Sequence, residues 1–374
     1  MKHRQKVLIF QIGGLGDTVV SVPCYREIAR RHAASDRYVL TNFATGAKMV
    51  QAESLLRPCG LVEGAIRYPM PLRGVRNIFE LWGTLRSAHF DALYYLCPEK
   101  RLSNLIRHYI FFKLCGIKRV CGVPWRRDRR FPLFIESTGI WESEASRLLR
   151  NIRGSAEPEV PTRGERSLSI TSSEREAAEH FLNQNPDVRR FVVVSVGGRV
   201  PIKDWGDDNW RRVLSGISKA HPGLALVFVG SDDERKRAED LASAWEGPTM
   251  ISCGQTTPRE TAALIERAAL FLGHDTGTLH LAAAVQTRII GLFSARDVPG
   301  KWYSDQTDDV FFYNKVPCFG CRLTEVSDCP NERACMTQHS VDEIVAVATV
   351  TLSPVGVSSR IQTSLSRSQP VDVV

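Results

Sequence analysis

The stretch Leu270-Phe-Leu-Gly-His-Asp-Thr-Gly-Thr-Leu-His-Leu-Ala-Ala-Ala284 contains, in order, the three parts of a parallel α/β unit. The apolar run at its start predicts a buried strand, Asp275-Thr276-Gly277 supplies a turn, and the alanine-rich end predicts a helix. The same alternation recurs along the chain, and strands end in turns that contain Gly or Ser. The sequence therefore predicts an α/β protein with parallel, doubly wound sheets.

The alternation begins twice, once in each half of the 374-residue chain. The predicted strands are Lys6–Ile12, Tyr38–Asn42, Ala92–Leu96 and Arg119–Val123, then Phe191–Ser195, Leu224–Gly230, Thr249–Ser252, Leu270–Gly273 and Arg288–Leu292. The predicted helices are Val19–Arg31, Asp208–Lys219, Asp233–Ala244 and Arg259–Ala268. A chain of this length exceeds what one hydrophobic core usually serves, so two domains are expected.

Residues 157–164 contain two prolines and a glycine without periodicity, which is typical of a linker. We therefore expect an N-terminal Rossmann-like domain over residues 1–160 and a C-terminal one over 166–350. Residues 354–374 have the composition of a disordered tail. Two such domains are expected to face a central cleft, with the ligand at the carboxyl ends of the strands.

Charge is distributed unevenly along the chain. Residues 1–166 contain 28 Lys and Arg against 15 Asp and Glu, whereas the remainder contains 21 against 26. The basic half is suited to nucleic acid, an acidic lipid surface or a phosphorylated substrate, and an arginine-rich solvated face is the simpler alternative.

The sequence shows no export signal and no membrane span. Asp17 interrupts the apolar run that follows the first basic residues, as an export signal would not. The longest uncharged stretch, residues 344–359, falls short of the roughly 18–20 apolar residues that cross a bilayer. We therefore expect a cytoplasmic protein whose ten cysteines are reduced.

A glycine-rich turn, Gln11-Ile-Gly-Gly-Leu-Gly-Asp17, joins the first predicted strand to its helix. Gly13, Gly14 and Gly16 allow the backbone to approach a ligand closely. The turn lacks both the last small residue of the dinucleotide fingerprint and the Gly-Lys-Ser/Thr of a phosphate loop. What remains is Asp17 at the head of a helix, where it acts either as a cap or as a catalytic carboxylate.

The turn Asp275-Thr276-Gly277 predicts an anion site, because the free N–H groups at the start of the following helix suit a pyrophosphate. His280 lies in the first turns of that helix, where it contacts a phosphate or packs. Asp-Thr-Gly also occurs in aspartic proteases, but those are all-β proteins.

Two further loops follow predicted strands of the second half. The loop Gly197-Gly-Arg-Val-Pro-Ile-Lys-Asp-Trp205 offers Lys203 as a point charge for a phosphate, unless this lysine is simply exposed. The turn Gly230-Ser-Asp-Asp-Glu234 offers a carboxylate for ribose or sugar hydroxyls, with helix capping by Ser231 or Asp232 as the alternative.

Four cysteines cluster near the C-terminus: Cys318, Cys321, Cys329 and Cys335. Four thiolates can hold one tetrahedral zinc or iron ion, which would be structural here. Buried reduced cysteines or a redox-labile pair are the alternatives.

Taken together, these motifs resemble glycosyltransferase family 9, which includes the ADP-heptose:lipopolysaccharide heptosyltransferases. The resemblance extends over most of residues 5–350. It rests on Gly14-Leu-Gly-Asp17, Lys203-Asp-Trp205, Gly230-Ser-Asp-Asp-Glu234 and Asp275-Thr-Gly-Thr-Leu-His280. It implies the two-domain GT-B fold and an inverting transfer that needs no metal, although a comparable cysteine cluster holds iron in one branch of the family.

The resemblance also implies a role for each matched residue. Asp17 is the general base, next to an acceptor-side loop formed by the three glycines. Lys203 holds the donor diphosphate, Glu234 contacts the ribose or the sugar, and the donor site is completed by Asp275, Thr276, Gly277 and His280. The implied donor is a nucleotide sugar, ADP-heptose. The implied acceptor is an anionic lipid-linked saccharide, the lipopolysaccharide core, reached by peripheral contact with the inner membrane. Nucleic acid is not expected.

Three other functions remain compatible with the residues. The first is a transferase that acts on another glycan or on a protein acceptor. A nucleotide-sugar epimerase would act on the donor without an acceptor. A non-enzymatic binding protein would use the basic half, although its arginines lack the interleaved aromatic residues of single-strand binders.

Overall fold

A computed structural model describes residues 4–44, 50–70, 74–98 and 101–353 of the chain. The tail expected at residues 354–374 lies outside them. The chain divides into two compact units. Unit 1 comprises Met1–Leu133, Glu142–Thr171 and Ala284–Gln286, and unit 2 comprises Phe134–Trp141, Ser172–Ala283 and Thr287–Val374.

Unit 1 is built around one parallel sheet. Its strands are β1 (Lys6–Phe10), β2 (Asp36–Ala44), β3 (Gly64–Met70), β4 (Ala92–Tyr95) and β5 (Arg119–Cys121). Its helices are α1 (Leu15–Val20), α2 (Val22–Arg31), α3 (Ala52–Leu56), α4 (Val75–Ala88), α5 (Leu102–Leu114), α6 (Arg127–Arg130), α7 (Glu144–Arg153) and α8 (Arg163–Arg166). The strand order is β3-β2-β1-β4-β5.

Unit 2 contains a short antiparallel hairpin, β6 (Phe134–Ile135) with β7 (Ile140–Trp141), and a larger parallel sheet. The strands of that sheet are β8 (Phe191–Ser195), β9 (Ala225–Phe228), β10 (Thr249–Ile251), β11 (Leu270–His274), β12 (Ile289–Phe293) and β13 (Val310–Tyr313), in the order β10-β9-β8-β11-β12-β13. The helices are α9 (Ser172–Leu182), α10 (Asp207–Ala220), α11 (Arg235–Ala242), α12 (Pro258–Glu266), α13 (Gly277–Ala284), α14 (Ala334–Thr337) and α15 (Val341–Leu352). Single 3₁₀ turns lie at Pro201–Lys203, Asp232–Glu234 and Val326–Asp328.

In both sheets the strand order runs outward in both directions from the first strand of the sheet in sequence, β1 or β8, as it does in a Rossmann fold. The central strands are apolar on both faces because helices cover each side of a parallel sheet. In β1, for example, Val7, Leu8 and Ile9 are fully buried. The predicted α/β class with two doubly wound sheets is confirmed.

The predicted helix Val19–Arg31 is wrong in one respect, because the structure has two helices there. α1 ends at Val20 and α2 begins at Val22, with Ser21 between them. Pro23 lies in the first turn of α2, where its missing N–H costs nothing, but it cannot continue a helix from α1.

Two edge strands were not predicted. β3 contains Arg67 and Pro69, which weaken the strand pattern but are tolerated at the edge of a sheet. β13 is a four-residue strand at the edge of the second sheet. Because edge strands are less completely covered than central strands, they lack the long apolar run by which a central strand is predicted.

The division between the units falls after Thr171, beyond the predicted linker at 157–164. That stretch is tied to α7 of unit 1. Arg153 forms an ion pair with Glu159 at 2.7 Å, and the Glu159 N–H donates to Ser146 Oγ at 3.0 Å. These contacts fix the proline-containing segment 157–164 to α7, although its composition predicted a linker.

The hairpin β6–β7 lies within the predicted N-terminal domain of residues 1–160 but belongs to unit 2. The Trp141 N–H donates to the Pro299 carbonyl at 2.9 Å. Within the described residues, no helix is both long and apolar enough to cross a membrane.

Candidate active site

The glycine-rich loop of unit 1 connects β1 to α1 and folds around Asp17. Asp17 is the third residue of α1, and its Oδ2 accepts a hydrogen bond from the Gly14 N–H at 2.8 Å. Gly13 has a φ of +145°, and a Cβ at this position would lie 2.5 Å from Asp17 Cγ. Gly14 caps the helix and Gly16 lies in its first turn. The loop therefore needs glycine at position 13 for the carboxylate to lie over it.

Gln11 supports this loop through hydrogen bonds of its side chain. The sequence motifs gave it no role. It is buried, and its Nε2 donates to the Asp17 carbonyl at 2.9 Å and to Ser21 Oγ at 3.2 Å. Tyr25 donates its hydroxyl proton to Gln11 Oε1. A polar residue at the end of an otherwise apolar strand was the available signal.

Asp17 is partly exposed, and the structure shows it in the capping role. It closes the first turn of α1 through Gly14, and the positive end of a helix stabilises a carboxylate there. The assignment of Asp17 as general base stays a prediction, because the hydrogen bond to Gly14 is compatible with either role.

In unit 2, five of the six predicted donor residues, all except Glu234, meet where β11 ends and α13 begins. Lys203 Nζ donates to Asp275 Oδ2 at 2.5 Å and to the Asp275 carbonyl at 3.2 Å. His280 Nε2 lies 3.7 Å from Asp275 Oδ1. All three side chains are largely buried. Lys203 is thus a paired lysine, whereas a free cation was one expectation for it.

Burial alone would raise the pKa of Asp275, but Lys203 and His280 lower it far below its ordinary value. Asp275 is therefore ionised at neutral pH and holds the Lys203 ammonium in a fixed position. An ammonium has three N–H donors, and two of them are used on Asp275. The third N–H is not used on Asp275.

Thr276 directly precedes α13, and Gly277 is the first residue of that helix. Thr276 Oγ1 lies 2.9 Å from Thr278 Oγ1, which in turn donates to Ser195 Oγ at 2.9 Å. A Cβ at Gly198 would lie 3.1 Å from Thr276 Cγ2, so the loop after β8 packs closely against this turn. The first N–H groups of α13 and the positive end of the helix dipole favour a negatively charged ligand here.

A second ion pair lies beside His280 and was not predicted. Lys301 Nζ donates to Asp297 Oδ1 at 2.6 Å and lies 4.4 Å from the centre of the Trp302 ring. The Trp302 and His280 rings are 6.0 Å apart. Burial would raise the pKa of Asp297, but Lys301, Trp302 and Lys203 lower it. The only signal in the sequence was the neighbouring cation and indole in Lys301-Trp302.

The loop that carries Lys203 is fixed by Arg237 of α11. Arg237 donates to both carboxylate oxygens of Asp204 at 2.8 Å and to Asp207 at 2.7 Å. Its Nη1 also donates to the Val196 carbonyl at 3.1 Å. Arg237 thereby ties both ends of the loop together, a role that sequence alone did not indicate because Arg237 lies 34 positions after Lys203 in the chain.

Glu234 lies at the turn after β9 and not in the Lys203–Asp275 cluster. Its Oε2 accepts a hydrogen bond from the Ser231 N–H at 2.7 Å, so Glu234 itself supports the turn. A side chain at Gly197 or Gly230 would occupy the position of the Glu234 carboxylate. The two glycines therefore let this carboxylate lie between the loops after β8 and β9. Its contact with ribose or sugar stays a prediction.

Cys318, Cys321, Cys329 and Cys335 line one cavity of about 270 Å³ in unit 2. Burial raises the pKa of Cys335 and the neighbouring thiols add to this effect, so the neutral thiol is favoured. Four thiols suit zinc or iron chemically. In the part of the chain that the structure describes, however, no group of three or more His, Cys, Asp or Glu side chains is arranged to hold a metal ion. The four thiols therefore match a zinc or iron site in their chemistry, but their side chains are not arranged as ligands of one ion.

Two Rossmann-like units, one with a carboxylate on a glycine loop and one with a lysine and a helix start suited to an anion, define a protein of the GT-B fold class. A family model described as glycosyltransferase family 9 (heptosyltransferase) matches residues 79–323. The chain belongs to this family.

A curated relative is "Lipopolysaccharide heptosyltransferase 3" of Escherichia coli strain K12. It is 32% identical over 108 residues, and the match covers 29% of this chain and 31% of that protein. The chain thus matches about a third of the length of this relative.

Two solved structures share the fold. A glycosyltransferase family 9 protein from Veillonella parvula has a TM-score of 0.70 at 14% identity, with 94% of this chain and 98% of that chain covered. The "iron-containing dodecameric glycosyltransferase TibC" from enterotoxigenic E. coli has a TM-score of 0.55 at 14% identity, with 94% and 77% covered.

Proposed function

We propose that this chain is an inverting glycosyltransferase that moves a heptose from ADP-heptose to a lipopolysaccharide core acceptor. Membership of family 9 supports the reaction class, and the curated heptosyltransferase relative supports the sugar and the acceptor. The observation that carries the proposal is the Lys203–Asp275 pair next to the start of α13, because a fixed lysine beside a helix N-terminus suits an anion.

In this proposal unit 2 binds the donor. The diphosphate lies at Thr276 and Gly277, where it accepts hydrogen bonds from the start of α13 and from the remaining N–H of Lys203. Asp275 keeps Lys203 in place and partly neutralises it. The site therefore binds the ground-state diphosphate without excessive strength and stabilises the leaving diphosphate as its charge grows. His280 adds a further contact, and Glu234 accepts hydrogen bonds from the ribose or the sugar.

Asp17 of unit 1 is the general base. Its carboxylate takes the proton of the acceptor hydroxyl as the oxygen attacks the anomeric carbon from the side opposite the diphosphate. Inversion follows from a single displacement.

We propose that catalysis needs no cofactor, since the lysine and the helix start stabilise the leaving group. The protein acts in the cytoplasm at the inner face of the membrane that holds its lipid-linked acceptor, and it has no nucleic-acid partner. A structural zinc or iron at the four cysteines stays a prediction. Metal analysis of the purified protein tests it, with about one ion per chain expected in the native protein and none in Cys318→Ser/Cys321→Ser.

The test of function is transfer of heptose from ADP-heptose to heptose-deficient lipopolysaccharide core, followed by the mass of the product. Asp17→Asn is the sharpest variant, because its amide oxygen can still accept the Gly14 N–H while the base is lost. We expect turnover to fall by about 10²–10⁴-fold with ADP affinity unchanged. Near-normal turnover of this variant would remove Asp17 from the mechanism.

An epimerase is distinguished by incubation with the donor alone. The proposed transferase releases little ADP without acceptor and leaves the sugar configuration unchanged. A rapid change of the donor under these conditions would favour the epimerase.

A further inference from the structure

The outward faces of α4 and α5 in unit 1 are apolar, which is unusual for surface helices. On α5, Leu102, Ile106, Ile110 and Leu114 recur every fourth residue and are 46%, 45%, 52% and 61% exposed. The opposite side of α5 buries Leu105 and Phe112. This helix therefore has apolar side chains on both sides, and burial within the described residues accounts for one of them.

α4 continues this apolar face. Val75, Ile78 and Phe79 are 69%, 41% and 63% exposed. Trp82 joins the two helices, because its Nε1 donates to the Leu114 carbonyl at 3.1 Å and its ring lies 6.4 Å from that of Phe79. We call these seven exposed residues the α4–α5 face. Monomeric proteins seldom expose a contiguous apolar surface of this kind unless it binds something.

The connections of the sheet place the two helices in one layer. α4 joins β3 to β4 and α5 joins β4 to β5, and right-handed crossovers put both on the side of the sheet opposite α2. On the α2 side a further layer is present, since Arg26 of α2 donates to the Ser167 carbonyl at 2.6 Å. Two helices side by side in an outer layer present a flat face, which suits a planar partner.

The surroundings of the α4–α5 face are strongly basic. Residues 74–130 contain twelve Lys and Arg against four Asp and Glu. Arg107 and Lys113 are exposed on α5 among its apolar residues, and Lys118 and Arg119 follow the helix. Trp125, 42% exposed, packs on Tyr109 at 5.2 Å between ring centres. Apolar, aromatic and basic side chains in one place are the composition of a surface that lies in the headgroup region of an anionic membrane.

We propose that the α4–α5 face docks the chain onto an anionic lipid surface, with its apolar side chains in the interface and its cations on the headgroups. Charge decides between this partner and a second copy of the chain. A twofold dimer would bring the same basic surface against itself, whereas anionic headgroups neutralise it. The inference goes beyond the proposed reaction, and it is tested without donor or acceptor.

The experiment measures co-sedimentation of the full chain with vesicles of pure phosphatidylcholine and of phosphatidylcholine with 30% phosphatidylglycerol. We expect binding to the anionic vesicles only, weakened by salt. Phe79→Ser/Ile110→Ser/Leu114→Ser should lower the partition coefficient at least 30-fold. Val160→Ser/Val326→Ser is the matched control, because it removes two apolar side chains that are 65% and 44% exposed elsewhere. The control should bind like the native chain.

A second variant removes charge and leaves the apolar side chains in place. Arg107→Gln/Lys118→Gln should weaken binding to anionic vesicles by roughly 10–30-fold, since each cation near such a surface contributes about fivefold. Circular dichroism and thermal unfolding check that each variant is folded.

Three results would overturn the proposal. The first is no binding of the native chain to anionic vesicles, and the second is unchanged binding of both variants. The third is a native dimer in sedimentation velocity that the triple Ser variant dissociates while vesicles bind neither form, because the α4–α5 face would then be a self-interface. Since no sugar is transferred in any of these measurements, loss of the proposed activity leaves the outcome unaffected.

Discussion

Gly13 decides where the Asp17 carboxylate lies. A side chain at position 13 would require a φ that L-residues rarely adopt, and its Cβ would meet Asp17 at 2.5 Å. The hydrogen bond from Gly14 to Asp17 depends on this close approach. Glycine is needed here for the site and not for a turn alone.

Gly13→Ala should therefore reduce turnover at least tenfold with little effect on ADP binding. Gly60→Ala is the control, because Gly60 also has a positive φ (+66°) but nothing lies within 4 Å of its Cβ position. Gly60→Ala should lose about 1 kcal/mol of stability from backbone strain, and Gly13→Ala should lose more because its Cβ also meets Asp17. Equal turnover in the two, measured by steady-state kinetics beside urea unfolding, would contradict a specific role for Gly13.

Lys203 and Asp275 act as one unit, so their substitutions should not be additive. Lys203→Met should weaken ADP binding about tenfold or more, because it removes the cation and releases the carboxylate. Calorimetric titration with ADP measures this. Unchanged affinity would remove Lys203 from the donor site.

The same pair predicts a pH dependence of stability. The pKa of Asp275 is lowered in the folded chain, so the pair stabilises it above the ordinary Asp pKa of about 4, and this contribution is lost as the pH falls below that value. Lys203→Met should therefore be most destabilised relative to native at pH 7, with a smaller difference near pH 3. Adding Asp275→Asn should restore part of the loss at pH 7. A difference that does not change with pH would mean that Asp275 is not the group responsible.

At the scale of single elements, α7 is anchored in unit 1 by buried charges. The side chains of Glu142 and Arg150 are fully buried and lie 2.8 Å apart. Glu144 and Arg147 form a second buried pair at 2.6 Å on the same helix. Removing one partner of a buried ion pair lowers the free energy of unfolding strongly, because the other charge stays buried without its counterion.

Arg150→Met should lower the free energy of unfolding by about 3–5 kcal/mol, because it leaves the Glu142 carboxylate buried without its cation. Arg150→Met/Glu142→Gln should lose less than the single variant. Arg76→Met is the comparison, since the Arg76–Glu80 pair is exposed and its loss should change stability far less. Urea unfolding measures all three, and a double variant less stable than the single one would contradict this account.

At the scale of the whole molecule, acid stability should depend on buried histidines. Burial lowers the pKa of His339 to about 4, and its Nε2 lies 3.3 Å from the Phe293 carbonyl. Burial also lowers the pKa of His274 to about 4. Both histidines are neutral in the folded chain near pH 5, whereas they bind protons once unfolded.

The unfolded chain therefore binds more protons than the folded chain between about pH 6.5 and 4, and stability falls as the pH is lowered through this range. His339 alone accounts for about 3 kcal/mol. Near pH 5, His339→Gln should reduce the slope of the unfolding free energy against pH by an amount that corresponds to up to about one bound proton. An unchanged slope would show that His339 does not titrate as its burial implies.

The sequence by itself determined the alternation of strands and helices, the presence of two doubly wound sheets and the loops that carry the candidate site. These follow from local patterns, since a central parallel strand is apolar throughout and its turn needs Gly, Asp or Ser. The motif around Asp275 was recognisable because strand, turn and helix are contiguous in the chain.

The tertiary structure alone decided which side chains are partners. Lys203 and its partner Asp275 are 72 positions apart, Asp204 and its partner Arg237 are 33 apart, and no local pattern pairs them. Edge strands such as β3 and the apolar outer faces of α4 and α5 were equally invisible, because a periodic pattern shows that a residue is apolar but not whether another element covers it. Burial and partnership are properties of packing, and packing depends on residues that are distant in sequence.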